Sequence, residues 1–496
     1  MEYDFDIAVI GSGAGGATAA DALARAGKSV VVLERGRSSD EIVSHRTEAD
    51  VFLKKTPYDD RDVEVNGVCT RVMMGGVTGG GTAVFGGAMT RPLPDDFSPG
   101  KYYGDRIPRD IWEWPVQWNE YLPYLDQAER VCKVSTLKSP QHSDDHSQIS
   151  PFLPMARVNE WLLERSKSRG FHLERLPLAI DPAMCLHCDQ CAGFPCPTGA
   201  RFSGHRLLKS CQREGFSVDL RTMTEAIRFV KLPHQSAVDH LKLLDRRTGN
   251  RFALRARRYI LAAGAIGSPL LLLNSGATHP QTGRNYMFHL SPVVAGLFAN
   301  RTEGDRTFVK QLCTYDFYFG TLDCPEKMGI VQSLPVPGPE LLARQGLGFI
   351  PLRARNLIRS RMLPFAGIVE DLPRPENRVQ AGPNGKAVLN HEFTDFDRRR
   401  GSALATAMKT MLRSGGALMC VGRNSSPREH VGHQCGTLRF GKSPSSAACD
   451  PSCRLFEFPD VFVADGSFFP TSLGVGPSLL IAANALRIAD LIQRDL

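Results

Sequence analysis

Residues 5–16 read FDIAVIGSGAGG, and residues 17–34 continue ATAADALARAGKSVVVLE. A short apolar run, a glycine cluster, an alanine-rich stretch from Ala17 to Ala26, a stop at Gly27 and a β-branched run from Ser29 to Leu33 predict strand, helix, strand. Gly11, Gly13 and Gly16 stand in the GxGxxG pattern between the first strand and the helix, with Ala14 and Gly15 inside it. In that context Gly11 permits the tight turn, Gly13 lets the backbone approach a pyrophosphate, and Gly16 lets the helix pack closely on the sheet. The helix N-terminus then offers amide hydrogens and the positive end of its dipole to phosphates. Glu34, at the end of the second strand, is placed to accept hydrogen bonds from ribose hydroxyls and disfavours a 2'-phosphate. These residues predict a Rossmann-type dinucleotide site, without separating NAD from FAD.

Working outward, the 496-residue chain has 42% hydrophobic and 23% charged residues, enough apolar material for two or more domains. Its net charge of +8 suits anionic partners such as phosphates. The basic residues cluster only briefly, at Arg255–Arg258 and Arg398–Arg400, without the interleaved aromatics of a nucleic-acid binder, so no nucleic-acid partner is expected. The apolar stretch Ile7–Leu23 follows Glu2, Asp4 and Asp6, where a signal peptide needs positive charge, and the reading is an intact cytoplasmic start. Tyr259–Leu273 is broken by Gly264, Gly267, Ser268 and Pro269, and no membrane span is expected. Thirteen cysteines, four of them between 185 and 196, look like thiols plus one candidate metal site, not a secreted disulfide framework.

Farther along, a glycine-dense segment runs from Gly75 to Gly87. Residues 138–150 read as an exposed polar loop, with His142, Asp144, Asp145 and His146 solvated and not metal-binding. Between Gly283 and Arg423, short apolar runs alternate with Pro and Gly clusters, which predicts the strands and loops of a second domain. The chain closes on a strand, Val461–Ala464, and an apolar helix, Ser478–Ile492.

These closing residues carry a resemblance. Val461–Pro470 (VFVADGSFFP) is similar to the closing FAD segment of the glucose-methanol-choline (GMC) family of flavoprotein alcohol oxidases and dehydrogenases, and His433–Thr437 (HQCGT) is similar to its His-x-x-Gly-Thr motif. Gly264–Gly276 (GAIGSPLLLLNSG) matches most of a family signature, with Ala277 and Thr278 departing from its usual ending. Gly283, Arg284 and Asn285, followed by His289, resemble the entry to the substrate domain. The run Gly79–Gly87, with Arg91 and Phe97 after it, resembles the segment lying along the flavin. The matches keep family order.

The resemblance implies an α/β fold, α+β overall. A discontinuous Rossmann-type FAD domain would span 1–100, 180–282 and 430–496. A substrate domain on an antiparallel sheet would span 101–179 and 283–429. It implies FAD contacts at Gly11, Gly13, Ala14, Gly15, Gly16, Glu34, Gly80, Gly81, Thr82, Gly86, Ala263, Gly264, Asp465, Gly466 and Pro477. It makes His433 the catalytic base, since imidazole is suited to take a hydroxyl proton near neutral pH as hydride leaves the carbon. His430 is the local rival but lacks Gly and Thr at the right offsets. One departure is Gly476, where the family places His or Asn before Pro477; this removes a side chain expected to hold the substrate oxygen.

Cys185, Cys188, Cys191 and Cys196 read C-x2-C-x2-C-x4-C followed by Pro197, one residue longer than the ferredoxin pattern. Some family dehydrogenases carry an iron-sulfur cluster beside a segment ending Cys, Pro, x, Gly, Ala, as Cys196–Ala200 does. An iron-sulfur cluster leads, with structural zinc or metal-free thiols as rivals. The leading function is oxidation of a small-molecule alcohol by hydride transfer to flavin, with a protein or quinone-type electron acceptor as a candidate partner. The rivals are non-alcohol flavin chemistry on the same fold, invited by Gly476, and an electron-transfer flavoprotein.

Overall fold

The structure is a computed structural model that describes residues 2–135, 151–188, 190–424 and 432–496. The polar stretch with His142, Asp144, Asp145 and His146 lies outside the described residues, as does His430. Strand β1 (Phe5–Ile10), helix α1 (Ala14–Arg25) and strand β2 (Val30–Leu33) form the predicted unit. β1 is the middle of a five-stranded parallel sheet ordered Val461–Val463, Ala256–Leu261, β1, β2, Val218–Arg221. Parallel strands need crossover connections that cover both faces, which is why β2 is a continuous apolar run buried at every residue. Helix α1 packs against the closing helix Ser478–Asp495 and against Gly204–Arg213. The mixed α/β class with a parallel sheet is borne out.

A second, six-stranded sheet is antiparallel throughout, ordered Met419–Arg423, Val293–Leu297, Met362–Gly367, Val331–Ser333, Leu312–Thr314, Glu174–Arg175. Its own core gathers Val294, Leu363, Phe365, Leu404, Met408 and Leu412. Here the expectation of strands and loops alone needs correction. Asp395–Ser414 is a 20-residue helix packed across this sheet. Its start is a capping box: the Asp397 amide donates to Thr394 Oγ1 at 3.2 Å and the Thr394 amide to Asp397 Oδ2 at 2.8 Å.

The two sheets meet where Met287 and Cys435 exchange backbone hydrogen bonds of 3.0 and 2.9 Å. This bridge lays residues 287–289 beside 433–435. No helix among the described residues is long and apolar enough to cross a membrane.

Candidate active site

The glycine turn is held by backbone contacts that leave no room for side chains. Gly11 has φ of 102°, and a Cβ there would lie 2.3 Å from the Ala262 carbonyl oxygen. Gly15 approaches the sheet: its Cβ would lie 1.6 Å from the Ala464 carbonyl oxygen. A Cβ on Gly16 would lie 2.0 Å from the Gly11 carbonyl oxygen. Gly13, Gly81 and Gly264 differ, since a Cβ at each would meet nothing within 4 Å. Gly13 is the N-cap of α1, and no side chain caps the first-turn amides. Uncapped amides beside open glycines are a fit for a pyrophosphate.

Glu34 is buried, accepting from Ser12 Oγ at 2.5 Å and from the Gly36 amide at 2.7 Å. Burial pushes its carboxyl upward against those hydrogen bonds. Ser12 also accepts from the Gly79 amide at 2.9 Å, joining the glycine-rich segment to the turn, a role the motif pattern did not single out. Gly80 packs onto Gly13, and Thr82 Oγ1 donates to the Gly79 carbonyl at 2.6 Å while accepting from the Gly204 amide at 2.9 Å. Beside Gly86 lies Lys310, whose Nζ donates to the Gly86 carbonyl at 3.2 Å. Burial lowers this lysine to about 8.

Asp465 is a junction. One carboxylate oxygen accepts from the Gly264 amide at 2.8 Å and from Ser268 Oγ, and the other from the Ser467 amide at 2.8 Å. Ser268 Oγ in turn is 3.1 Å from the Ala263 amide. Burial raises this carboxyl. Gly466 lies against the chain at Gln434, and the Gly436 amide donates to the Gly466 carbonyl at 3.0 Å, fixing the histidine segment to this junction. Pro477 opens the closing helix Ser478–Asp495.

His433 sits at φ of 64°, a left-handed conformation uncommon for a side-chain-bearing residue. Its Nδ1 is 2.9 Å from His289 Nδ1, with the rings 5.0 Å apart and nearly perpendicular. His289 Nε2 is 3.0 Å from the Ser472 carbonyl oxygen and 2.9 Å from that of Leu473. Burial lowers His289 to about 4. On the other side, a Cβ built on Gly476 would lie 3.7 Å from His433 Nε2, an ordinary contact. A glycine at 476 thus places no side chain beside His433 Nε2 on that side of the segment.

Behind the 472–476 segment lies a buried charge cluster that the sequence did not reveal. Lys327 Nζ is 2.7 Å from Asp96 Oδ1 and also pairs with Glu370. Tyr318 OH donates to Asp96 at 2.7 Å, and Tyr103 OH to Glu370 at 2.7 Å. Burial would strip the lysine's charge, but Asp96 and Glu370 outweigh it and raise Lys327. The Asp371 amide donates to Ser472 Oγ at 2.8 Å, tying the loop to this cluster. No spacing rule marks DCPEKM as the source of a buried lysine.

The four clustered cysteines line one cavity together with Arg201 and Phe308. Burial pushes Cys191 up to about 12 and raises Cys185. Burial also opposes ionisation of Cys196, but the amide and guanidinium of Arg201 outweigh it and lower that thiol. Among the described residues no group of three or more His, Cys, Asp or Glu side chains converges as metal ligands. The expected iron-sulfur cluster is thus not supported: the sulfurs share a cavity without enclosing a common ligand point, consistent with a final gap longer than the ferredoxin spacing.

A parallel sheet with a glycine turn between its first strand and helix, joined to a histidine pair beside Gly476, defines a protein of the dinucleotide-binding class. The sequence comparisons agree. The family model described as GMC oxidoreductase matches its N-terminal part to residues 6–291 and its C-terminal part to residues 373–485, and the chain belongs to this family. It is 28% identical to paromamine 6'-oxidase of Streptomyces fradiae, over 99% of this chain and 92% of that one. It is 29% identical to 6'''-hydroxyparomomycin C oxidase of Streptomyces lividus, with the same coverage. The solved pyridoxine 4-oxidase from Mesorbium loti shares the fold, with a TM-score of 0.69 at 18% identity over 99% of both chains. The family and the oxidoreductase class read from the sequence are borne out.

Proposed function

We propose that this protein is an FAD-dependent enzyme that oxidises the CH–OH group of a small molecule, with His433 Nε2 taking the hydroxyl proton. The observation that carries this reading is the glycine at 476 beside His433, where even a Cβ would lie only 3.7 Å from Nε2 and residue 476 puts no side chain in the way of a substrate hydroxyl. A substrate hydroxyl placed there meets an imidazole able to accept its proton at neutral pH. Membership of the family and the oxidase names of both relatives support the alcohol assignment.

In this reading residues 1–100, 180–282 and 430–496 hold FAD, and 101–179 with 283–429 face the substrate. The amides behind Gly13 receive the pyrophosphate, Glu34 the ribose, and Gly81, Gly86, Gly264 and Asp465 border the rest of the cofactor. Bound FAD supplies the hydride acceptor. The chain orients the hydroxyl at Gly476 and holds the departing proton on His433, while buried Leu473, Val475 and Cys435 keep water away. Electrons leave to oxygen or to a protein or quinone-type acceptor. All thirteen cysteines are free thiols, which supports a reducing, cytoplasmic setting.

The test is direct. Purified protein is expected to be yellow and to release FAD on denaturation, read by chromatography. Anaerobic mixing with alcohols, sugars and amino alcohols is expected to bleach the flavin absorbance with at least one of them. NAD as the sole nucleotide, or a flavin that only a protein donor reduces, would overturn the assignment.

A further inference from the structure

The contacts of His289 determine where the protons sit on its neighbour. His289 Nε2 lies 3.0 and 2.9 Å from two backbone carbonyl oxygens, of Ser472 and Leu473. Carbonyl oxygens only accept, so Nε2 carries a hydrogen. His289 is deeply buried, and burial keeps it neutral near pH 7 by lowering it to about 4. A neutral imidazole has one N–H, so His289 Nδ1 is a lone-pair acceptor. His433 Nδ1 stands 2.9 Å from it, and a hydrogen bond at that distance requires the hydrogen on His433 Nδ1. The assignment rests on the network of heavy-atom contacts, the usual basis for histidine tautomers.

We infer that His289 is a positioning residue that locks neutral His433 in its Nδ1–H tautomer, so that the lone pair lies on Nε2, the nitrogen facing Gly476. This deepens the reading of His433 as the base and rests on it. When a proton reaches His433 Nε2, the Nδ1–H remains bonded to His289, so the ring neither turns nor exchanges its tautomer during the step. The acceptor is a neutral ring and not a carboxylate. It therefore fixes geometry without adding a counter-charge to the imidazolium. In Ser-His-Asp sites the loss of tautomer control costs about 10⁴-fold in turnover, and a neutral partner is expected to cost less, about 10- to 100-fold.

The backbone explains why this partner is available. The Met287–Cys435 bridge fixes the distance between the two histidine segments, and His433's left-handed φ of 64° is held by its surroundings. The buried cluster of Lys327, Asp96 and Glu370 fixes the 472–476 loop whose carbonyls hold His289.

The experiment uses FAD-loaded enzyme labelled with ¹⁵N in its 13 histidines. Long-range ¹H–¹⁵N spectra at neutral pH are assigned by the signals lost in His433→Ala and His289→Phe. The expected wild-type spectrum shows His433 protonated at Nδ1 and bare at Nε2. In His289→Phe the proton is expected to move to Nε2, with kcat about 10- to 100-fold lower, KM nearly unchanged and full FAD content. His289→Gln, whose amide can donate to the carbonyls and accept from His433, is expected to restore the Nδ1–H form and most of kcat. A wild-type His433 carrying its hydrogen on Nε2 overturns the inference, and this result needs no variant to fold. An unchanged His433 tautomer in folded His289→Phe overturns it equally. Normal flavin reduction by His433→Ala, with the Nδ1–H form seen in wild type, instead sinks the base assignment and leaves the tautomer lock standing.

Discussion

Around Gly11–Gly16 the chain works with backbone, packed on the backbone of Ala262 and Ala464, whereas around His433 it works with side chains from segments more than 140 residues apart. In the turn, identity matters through what is absent: Gly11, Gly15 and Gly16 are needed because any Cβ would meet a carbonyl oxygen. At the histidine pair, identity matters through what is present: two ring nitrogens 2.9 Å apart and a buried neutral imidazole. The glycines of a backbone site are thus marked by spacing along the chain, while the carbonyls of Ala262 and Ala464 that press on them come from distant parts of it. A side-chain site is specified by which strands and loops the fold brings together.

The sharpest way to break this comparison is at the side-chain site. His433→Ala is expected to retain FAD yet lose substrate-driven flavin reduction by about 10²- to 10⁴-fold, read by anaerobic stopped-flow absorbance. A folded variant that reduces its flavin normally would return His433 to a packing role.

A pH titration probes the neutrality of His289. Its folded value is lowered to about 4 from an ordinary 6.5, so between those values the unfolded chain binds the extra proton. The stability it contributes is complete above the unfolded value and is lost as pH falls through the window, by up to roughly 3 kcal/mol. Glu370 and Lys327, the charged groups acting on it, pull in opposite directions. His289→Gln is expected to flatten this part of the stability curve in denaturant melts. Identical acid dependence in both proteins would mean that His289 is not held neutral.

At the backbone site, two glycines two residues apart are expected to fail differently. Gly15→Ala drives a methyl into the Ala464 carbonyl and is expected to lower stability by about 1–3 kcal/mol or more, lowering the melting temperature without FAD as well as with it. Gly13→Ala meets nothing in the chain, so its apo stability is expected to stay near wild type while FAD affinity falls. Equal losses of apo stability would erase the distinction between a packing glycine and a binding one.

The smallest expected effect is at Gly476. A Cβ there makes only ordinary contact with His433, so Gly476→Asn is expected to change stability by no more than about 0.5 kcal/mol. A large drop in melting temperature would show that the space beside His433 is not available to a substrate.

The sequence by itself determined the strand, helix, strand unit, the dinucleotide turn, the family and the identity of His433 as the residue to watch. Each rests on local periodicity or fixed spacing, which survive without knowledge of distant contacts. It missed the helix Asp395–Ser414, although Thr394 and Asp397 carried a capping signal, because the surrounding Pro and Gly clusters dominated the reading. It gave no sign that Gly15 presses against Ala464, a neighbour no motif records. The cysteine spacing suggested a cluster, but whether four thiols surround one point depends on how their loop folds. Only the tertiary structure paired His289 with His433 and buried Lys327 between two carboxylates, because hydrogen bonding and desolvation depend on distances across the fold and leave no period in the chain.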